Sequence, residues 1–277
     1  MTRRTLIQCL WLRLDPLAEF CGHLGQLERP GMGLFGSAEG RPAIVGHRGL
    51  RRPGMLENTP PAFAAAVAEG ADWIELDVRR SADGLLVLYH DGWTPDGVAV
   101  VDRTAAELAA QGLCTFVDAL RAMPPGVGLN VEVKNLPGEP DYDPADEIVP
   151  MVAEIVAPLI AQRPLVTSSF NPLTVARLVE TLPEVPSTLI HFQTLGILAA
   201  ATIAREHGAA GLSPQVGSPD LDADGVAAVH EQGMSVLVWT VNDAATATGL
   251  AAAGVDALCT DDPAAVLEAL VGSAQRD

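Results

Sequence analysis

The stretch IVGHRG, at residues 44–49, joins an apolar run to two side chains that can carry charge. The run Ala43–His47 predicts a buried strand, so His47 and Arg48 come where that strand ends. Imidazole changes protonation near neutral pH and can act as a general acid or base, and guanidinium binds oxyanions such as phosphate. The pair therefore indicates acid–base chemistry on an anionic substrate.

Three carboxylates have a spacing that predicts a shared, buried site. Glu75 and Asp77 lie two residues apart in WIELDV, so both side chains point to one face of a strand. Glu132 lies in the strand-like run LNVEVK, and Lys134 follows two residues later on the same face. At separations of about 5 Å and an effective dielectric of about 20, three carboxylates repel by about 10 kcal/mol in total. Repulsion of this size is comparable to the stability of a whole domain.

This repulsion predicts a bound positive charge. Oxygen ligands favour a hard divalent cation, Mg²⁺ or Ca²⁺, over zinc. A zinc hydrolase of the amidohydrolase type would need an H-x-H pair, which the sequence lacks. Two alternatives remain at this point. Glu75 and Asp77 could be solvated strand-edge charges, and Glu132 could form a simple ion pair with Lys134.

A second histidine, His90, is brought to the acids by a predicted hairpin. The strand-like run Leu85–His90 follows the predicted strand Trp73–Val78 too closely for a parallel crossover, which needs a dozen or more residues. The Asp-Gly pair that ends at Gly84 is a hairpin turn signal. Around that turn, paired residue numbers sum to roughly 165–167. His90 is therefore expected opposite Glu75–Asp77.

Short apolar runs alternate with alanine-rich helical segments from Ala43 onward, which predicts an α/β fold. Eight runs are predicted strands: Ala43–His47, Trp73–Val78, Leu129–Lys134, Leu165–Ser168, Ser187–Ile190, Ala209–Leu212, Ser235–Thr240 and Ala257–Thr260. Eight strands separated by helices favour a (β/α)₈ TIM barrel, with Leu85–His90 as a β-hairpin arm after strand 2. A doubly wound open sheet is the alternative, but no G-x-G-x-x-G follows the first strand.

Composition limits the domain organisation and the partners. The chain has 277 residues, enough for one barrel, and we predict a catalytic domain at 43–277 preceded by an N-terminal extension at 1–42 with a short amphipathic helix near 5–20. A net charge of −18 argues against nucleic acid and anionic membrane surfaces as partners. No apolar run approaches the roughly 20 residues of a membrane-spanning helix.

The cysteines and the first residues indicate a cytoplasmic protein. Four widely separated cysteines without a C-x-x-C pair predict a reducing compartment and no structural zinc. The opening segment has an arginine pair and an apolar run, but Arg13 and Asp15 interrupt that run before any cleavage motif. Secretion is therefore the less favoured alternative.

Several short motifs follow one another along residues 43–270. They are HRG at 47–49, ENT at 57–59, ELDV at 75–78, HD at 90–91, NVEVK at 130–134, SSF at 168–170, VWTVN at 238–242 and GVDALCTDDP at 254–263. Together they resemble the glycerophosphodiester phosphodiesterase family, whereas HRG alone would be a weak indication.

The resemblance implies a TIM barrel that hydrolyses small glycerophosphodiesters to glycerol 3-phosphate and an alcohol. Carried over by position, His47 and His90 would be the acid–base pair. Glu75, Asp77 and Glu132 would hold the divalent cation, Mg²⁺ or Ca²⁺.

The resemblance also implies five substrate-binding residues. Arg48 and Lys134 would contact the phosphate, and Glu57 would orient Arg48 or support the metal ligands. Phe170 and Trp239 would form walls around the glycerol or the alcohol.

Two alternative functions use the same residues differently. Attack by a hydroxyl of the substrate would give a cyclic phosphate, as in the related phosphatidylinositol-specific phospholipases. A barrel without activity could instead bind phospholipid headgroups or a partner. The complete set of two histidines and three carboxylates argues against a protein that only binds.

Other polar residues are expected to have structural roles. Asp261 and Asp262, before Pro263, are predicted to cap the last helix, with substrate contact as the alternative. His207 and His230 lie near predicted helix C-termini, where positive charge is favourable. Four arginines either add positive potential near the site or are solvated: Arg51, Arg52, Arg79 and Arg80.

Overall fold

The computed structural model describes residues 34–37 and 40–274. The predicted helix near 5–20 lies outside these residues. The strands are β1 Ala43–Gly46, β2 Trp73–Arg80, β3 Leu86–Leu88, β4 Gly128–Val133, β5 Leu165–Ser169, β6 Ser187–His191, β7 Gly211–Pro214, β8 Ser235–Val238 and β9 Ala257–Thr260. The α-helices are α1 Pro60–Ala68, α2 Ala105–Ala109, α3 Phe116–Ala122, α4 Ile148–Val156, α5 Pro172–Thr181, α6 Ile197–Glu206, α7 Ala223–His230, α8 Ala244–Ala253 and α9 Pro263–Ala274. None of the helices within 34–37 and 40–274 has the length and apolar character to cross a bilayer.

Eight strands form a closed parallel barrel. Strand β1 pairs in parallel with both β2 and β9, and the pairing then runs without a break from β9 through β8, β7, β6, β5 and β4 to β2. Helices follow the strands along the chain and cover the outside of the barrel. The predicted (β/α)₈ TIM barrel is confirmed.

The remaining strand, β3, forms the predicted hairpin arm. It runs antiparallel to the outer end of β2, with Val78 paired to Leu88 and Arg80 paired to Leu86. The numbers in each pair sum to 166, which is the predicted register. The turn between the strands has Gly84 at a φ of 72°, a conformation that glycine adopts without strain.

The barrel is closed at its amino-terminal end by large apolar side chains. Phe35 packs edge-on against Trp73 with ring centroids 5.2 Å apart, and Trp73 Nε1 donates to the carbonyl of Gly36 at 3.3 Å. A Cβ on Gly128 would lie 2.2 Å from the Trp73 ring, so the neighbouring strand needs glycine there. Residues 34–36 thus pack against the barrel, and a domain boundary at residue 42 stays a prediction.

One predicted strand was placed two residues too early. The sixth parallel strand along the chain, β7, is Gly211–Pro214, not Ala209–Leu212. The Ala209 amide donates to Ala204 O at 2.9 Å and so belongs to the end of the preceding helix. Pro214 extends the strand because its carbonyl accepts from Trp239 N at 3.0 Å, a bond that needs no proline amide.

Thr59 occupies the N-cap position of helix α1, but its hydroxyl does not cap the helix. The residues at the first two helical positions are Pro60 and Pro61, which have no amide hydrogens to offer. The Thr59 hydroxyl instead donates to the carbonyl of Leu56 at 2.6 Å. This bond closes a local turn in the loop that carries the ENT motif. The amide of Asn58, which donates to the carbonyl of Arg48 at 2.9 Å, holds that loop close to the end of β1.

Candidate active site

The three predicted metal ligands meet at the carboxyl end of the barrel. Glu75 and Asp77 lie on β2, and Asp77 is the direct pairing partner of Glu132 on β4. One carboxylate oxygen from each residue lies within 4.8 Å of the other two, and all three side chains are buried. The Oε1 atom of Glu75 is buried without a hydrogen-bond partner. An unpartnered oxygen beside two further carboxylates is the arrangement that a bound cation would complete.

Two basic side chains lie against the same acids. Lys134 Nζ is 2.9 Å from Asp77 Oδ1 and also pairs with Glu132 Oε1. Arg48 Nε is 3.2 Å from Asp77 Oδ2. Three carboxylates against these two cations leave one formal negative charge. The donors are therefore all oxygen and remain net negative, which fits a hard divalent cation such as Mg²⁺ or Ca²⁺.

Burial and neighbouring charges shift the pKa values of the three acids in different directions. Burial raises the pKa of Glu75 well above its usual range, and the charges of Asp77 and Glu132 raise it further. Burial also raises the pKa of Glu132. The pKa of Asp77 is lowered, because Lys134 and Arg48 together outweigh the effect of burial. Without a cation, Glu75 is the acid that ionises least easily.

His47 is held by a carboxylate at the joint between the first and last strands. Its Nδ1 atom is 2.7 Å from Asp261 Oδ1, and its amide donates to the carbonyl of Thr260 at 2.9 Å. In the neutral imidazole this contact puts the proton on Nδ1 and leaves Nε2 as the acceptor. Burial and the charge of Arg48 lower the pKa of His47, although Asp261 opposes the shift.

His90 occupies the matching position on the hairpin arm. Its Nδ1 atom is 2.7 Å from Asp91 Oδ1, so its Nε2 atom is also the nitrogen left for chemistry. The amide of Tyr89 donates to the carbonyl of Asp77 at 3.1 Å, which ties the end of the arm to the acid-bearing strand. Burial and the charge of Lys134 lower the pKa of His90.

The loop after β1 orients Arg48 over the acids. Arg48 has a φ of 55°, and in this left-handed conformation its amide donates to Glu75 Oε2 at 2.9 Å. Its Nη1 atom donates to Glu57 Oε1 at 2.8 Å, the contact expected if Glu57 orients the guanidinium. Arg51 Nε lies 2.7 Å from the other oxygen of Glu57. A non-glycine residue at positive φ is strained unless its surroundings hold it, and these contacts do so.

An open cavity of about 510 Å³ joins these groups to an aromatic wall. Phe170 and Trp239, the two predicted wall residues, meet edge-on with ring centroids 5.6 Å apart. Phe192 completes the wall by stacking on Phe170 at 4.7 Å and approaching Trp239 at 6.0 Å. The cavity is thus charged along β1, β2 and β4 and apolar along β5, β6 and β8.

Comparison with known proteins identifies the family of this chain. The family model described as the glycerophosphoryl diester phosphodiesterase family matches residues 47–265. The match begins at His47 and covers most of the chain. The chain belongs to this family.

Relatives and solved structures agree with the family assignment. A glycerophosphodiester phosphodiesterase of Caldanaerobacter subterraneus is 26% identical over 245 residues, covering 79% of this chain and 94% of the relative. YhdW of Bacillus subtilis is 29% identical over 241 residues, with the same two coverages. Both relatives are matched over nearly their full length.

Two solved structures share the fold. A phosphodiesterase of Oleispira antarctica, solved with the product sn-glycerol-3-phosphate, has a TM-score of 0.67 and 25% identity, over 83% of this chain and 97% of that one. A glycerophosphodiester phosphodiesterase of Thermotoga maritima has a TM-score of 0.65 and 21% identity, over 82% and 97%. The likeness to the Thermotoga maritima structure supports the barrel fold.

Sequence reasoning assigned Asp261 incorrectly. Asp261 and Asp262 were both expected to cap the last helix, and this is confirmed for Asp262, which accepts from Ala265 N at 3.2 Å, but not for Asp261. Asp261 instead contacts His47 and accepts from Asn242 Nδ2 at 2.8 Å. The barrel closure between β9 and β1 creates this contact between residues 214 apart.

Asn58 is a second residue that sequence reasoning missed, although it lies inside the ENT motif. Its side chain is buried and makes two bonds to one residue: Nδ2 donates to Asp77 Oδ2 at 2.8 Å, and Oδ1 accepts from Asp77 N at 3.1 Å. These bonds fix the carboxylate plane of Asp77. The only indication in the sequence was the motif itself.

Proposed function

We propose that this protein hydrolyses glycerophosphodiesters to glycerol 3-phosphate and an alcohol, with a divalent cation bound by Glu75, Asp77 and Glu132. The observation that carries the proposal is the buried acid cluster beside two aspartate-held histidines that line one cavity. The bound product named for the Oleispira antarctica relative supports glycerol 3-phosphate as the product here.

The two histidines divide the proton transfers. At Nε2, one imidazole removes a proton from the attacking water, while the other gives a proton to the leaving alcohol oxygen. Water oxygen forms the new bond to phosphorus, the bond to the alcohol oxygen breaks, and the products are a phosphate monoester and an alcohol. The aspartates on Nδ1 orient both rings and stabilise their protonated forms.

The basic residues would bind the phosphate, and the acids would hold the cation beside it. Arg48 and Lys134 would bind its non-bridging oxygens, where negative charge grows in the transition state. When bound, the cation would supply further positive charge to these oxygens as a Lewis acid. Glu57 keeps Arg48 in place through the 2.8 Å contact.

The direct test is turnover of glycerophosphocholine, glycerophosphoethanolamine and glycerophosphoinositol, followed by phosphorus NMR. Hydrolysis predicts a phosphate monoester as the phosphorus product. A cyclic ester would show that a substrate hydroxyl is the nucleophile, as in the phospholipase-like alternative. Binding of all three compounds without any product would contradict the proposal and favour a barrel that only binds.

Replacing Asp261 with asparagine is expected to lower kcat by about 10- to 100-fold, because the His47 ring loses its charged partner. Asp261 raises the pKa of His47, so its neutralisation lowers that pKa further. The limb of the pH–rate profile that belongs to His47 therefore moves to lower pH. The measurement is kcat/KM against pH.

The matched control is the neighbouring Asp262→Asn, which makes the same change of charge on the same loop and keeps a side-chain oxygen that can cap the helix. This variant should leave both limbs of the profile where they are. A profile for Asp261→Asn identical to that of the wild type would contradict a role for Asp261 in holding the imidazole.

Replacing Phe192 with alanine is expected to raise KM for substrates with large apolar alcohols. The ring is half-exposed in the cavity mouth. If an alcohol covers roughly 40 Å² of it, the loss is about 1 kcal/mol, or about fivefold in KM. Leu198→Ala removes another exposed apolar side chain, outside the cavity lining, and serves as the control. An equal KM change in both variants would contradict a contact with the alcohol.

A further inference from the structure

Arg79 lies on the acid-bearing strand, but its hydrogen bonds go to the His90 carbonyl, Asp141 and Glu139 and to none of the acids described above. It is two residues beyond Asp77 on the same face of β2, where the strand leaves the barrel and enters the hairpin arm. Its side chain is only 3% exposed. A buried guanidinium at this position needs a specific set of partners, because an unpaired buried charge is strongly unfavourable.

The guanidinium holds the backbone of His90. Its Nε atom donates to the His90 carbonyl at 3.0 Å, and its Nη2 atom donates to the same oxygen at 2.5 Å. Strand β3 ends at Leu88, so His90 lies beyond the last residue that the strand ladder supports. Two donors on one carbonyl restrain the peptide from which the imidazole projects.

The other side of the guanidinium is fixed by the loop between β4 and α4. Nη1 donates to both carboxylate oxygens of Asp141, at 2.7 and 2.8 Å, and Nη2 donates to Glu139 Oε2 at 3.0 Å. Asp141 is itself buried. Contacts from all three nitrogens to oxygens on opposite sides fix the orientation of the planar guanidinium.

The same loop touches the arm a second time, on the far side of His90. A Cβ on Gly92 would lie 2.5 Å from Cδ of Pro140, so the two loops pack with no space between them. The loop begins directly after Lys134, and Asn135 anchors it by accepting from Asp143 N at 2.8 Å. The loop thus fixes the position of His90 relative to β4, the strand that carries Glu132 and precedes Lys134.

We infer that Arg79 is a positioning residue for His90 in the proposed phosphodiesterase reaction, on which this inference rests. Nitrogen atoms Nε, Nη1 and Nη2 all donate to protein oxygens, and two carboxylates more than balance the charge. Arg79 therefore has little left to offer a phosphate, although it lines the cavity. Arg79 therefore affects catalysis indirectly, by fixing the position of the His90 imidazole.

The test is Arg79→Lys, which keeps the positive charge near Asp141 but cannot make the fork to Asp141 and His90 together. We expect kcat to fall by about 10- to 100-fold, as a displacement of about 1 Å in a catalytic group can produce, with KM changed by less than about threefold. Arg80→Gln is the matched control, because Arg80 is next in the strand and also pairs with the region after β4, through Asp143 at 3.6 Å and the exposed Glu147 at 3.0 Å, but makes no contact with His90. Its kcat should equal that of the wild type.

Three outcomes would overturn the inference. A raised KM with unchanged kcat would make Arg79 a substrate-binding residue, and a lowered Tm with unchanged kcat would make it a structural one. A crystal structure of Arg79→Lys with His90 in its original place would also contradict it, and this measurement needs no turnover. If the wild type has no glycerophosphodiester turnover but His90 moves in the variant, the proposed function fails while the positioning contact stands.

Discussion

Alanine in place of either His47 or His90 is expected to lower kcat/KM by about 10²-fold or more, because each imidazole carries one of the two proton transfers. The double variant should lose little more than the worse single variant, since the two rings act in one reaction cycle. Neither side chain belongs to the apolar core, so both variants should unfold cooperatively. The measurement is steady-state turnover of glycerophosphocholine, with thermal unfolding to confirm folding.

His230→Ala is the matched control for these two variants. His230 also pairs with an aspartate, with Nε2 2.9 Å from Asp256 Oδ2, but it lies on helix α7 outside the cavity lining. Its turnover should equal that of the wild type. Turnover above a tenth of the wild-type rate in either His47→Ala or His90→Ala would remove that residue from the acid–base pair.

Mg²⁺ or Ca²⁺ at about 100 times its dissociation constant is expected to stabilise the metal-stripped protein by about 2.7 kcal/mol and to raise Tm by about 5 to 10 °C. Glu75→Gln should abolish most of this shift by removing one ligand. The metal-free variant should be at least as stable as metal-free wild type, because burial raises the pKa of Glu75 and glutamine removes the cost of ionising it. Thermal unfolding with and without cation is the measurement.

Cation binding should also release protons. The pKa of Glu75 is raised in the folded protein, and a carboxylate must ionise to bind the cation, so the affinity rises with pH. Calorimetry in two buffers of different ionisation enthalpy measures this release. Glu154→Gln, at an exposed position on α4, is the control and should keep the full cation response. An equal Tm shift in Glu75→Gln and the wild type would place the cation elsewhere.

The hairpin arm could be predicted because two local constraints agree. The connection after β2 is too short for a parallel crossover, and Asp83-Gly84 marks the turn. All three observed pairs then have the predicted register. The acid cluster was predictable for a similar reason: a strand has a period of two, so Glu75 and Asp77 had to share a face.

The residues that sequence reasoning missed depend on contacts between distant segments. Asp261 reaches His47 because the barrel closes, and no local pattern distinguishes it from its neighbour Asp262 as a helix cap. Arg79 was expected either to add positive potential or to be solvated, since the sequence does not reveal that a loop some 60 residues later covers it. Phe192 follows the end of β6, and only the packing of three separate strands makes it part of a wall.

The most direct measurement is the rate at which metal-stripped protein releases glycerol 3-phosphate from glycerophosphocholine, before and after Mg²⁺ or Ca²⁺ is restored. The three carboxylates leave negative charge beside the phosphate site, and the cation that they would hold offsets this charge and supplies a Lewis acid to the phosphate oxygens. We therefore expect no measurable release without a cation and full release with one. Undiminished release in the presence of excess EDTA would contradict this account.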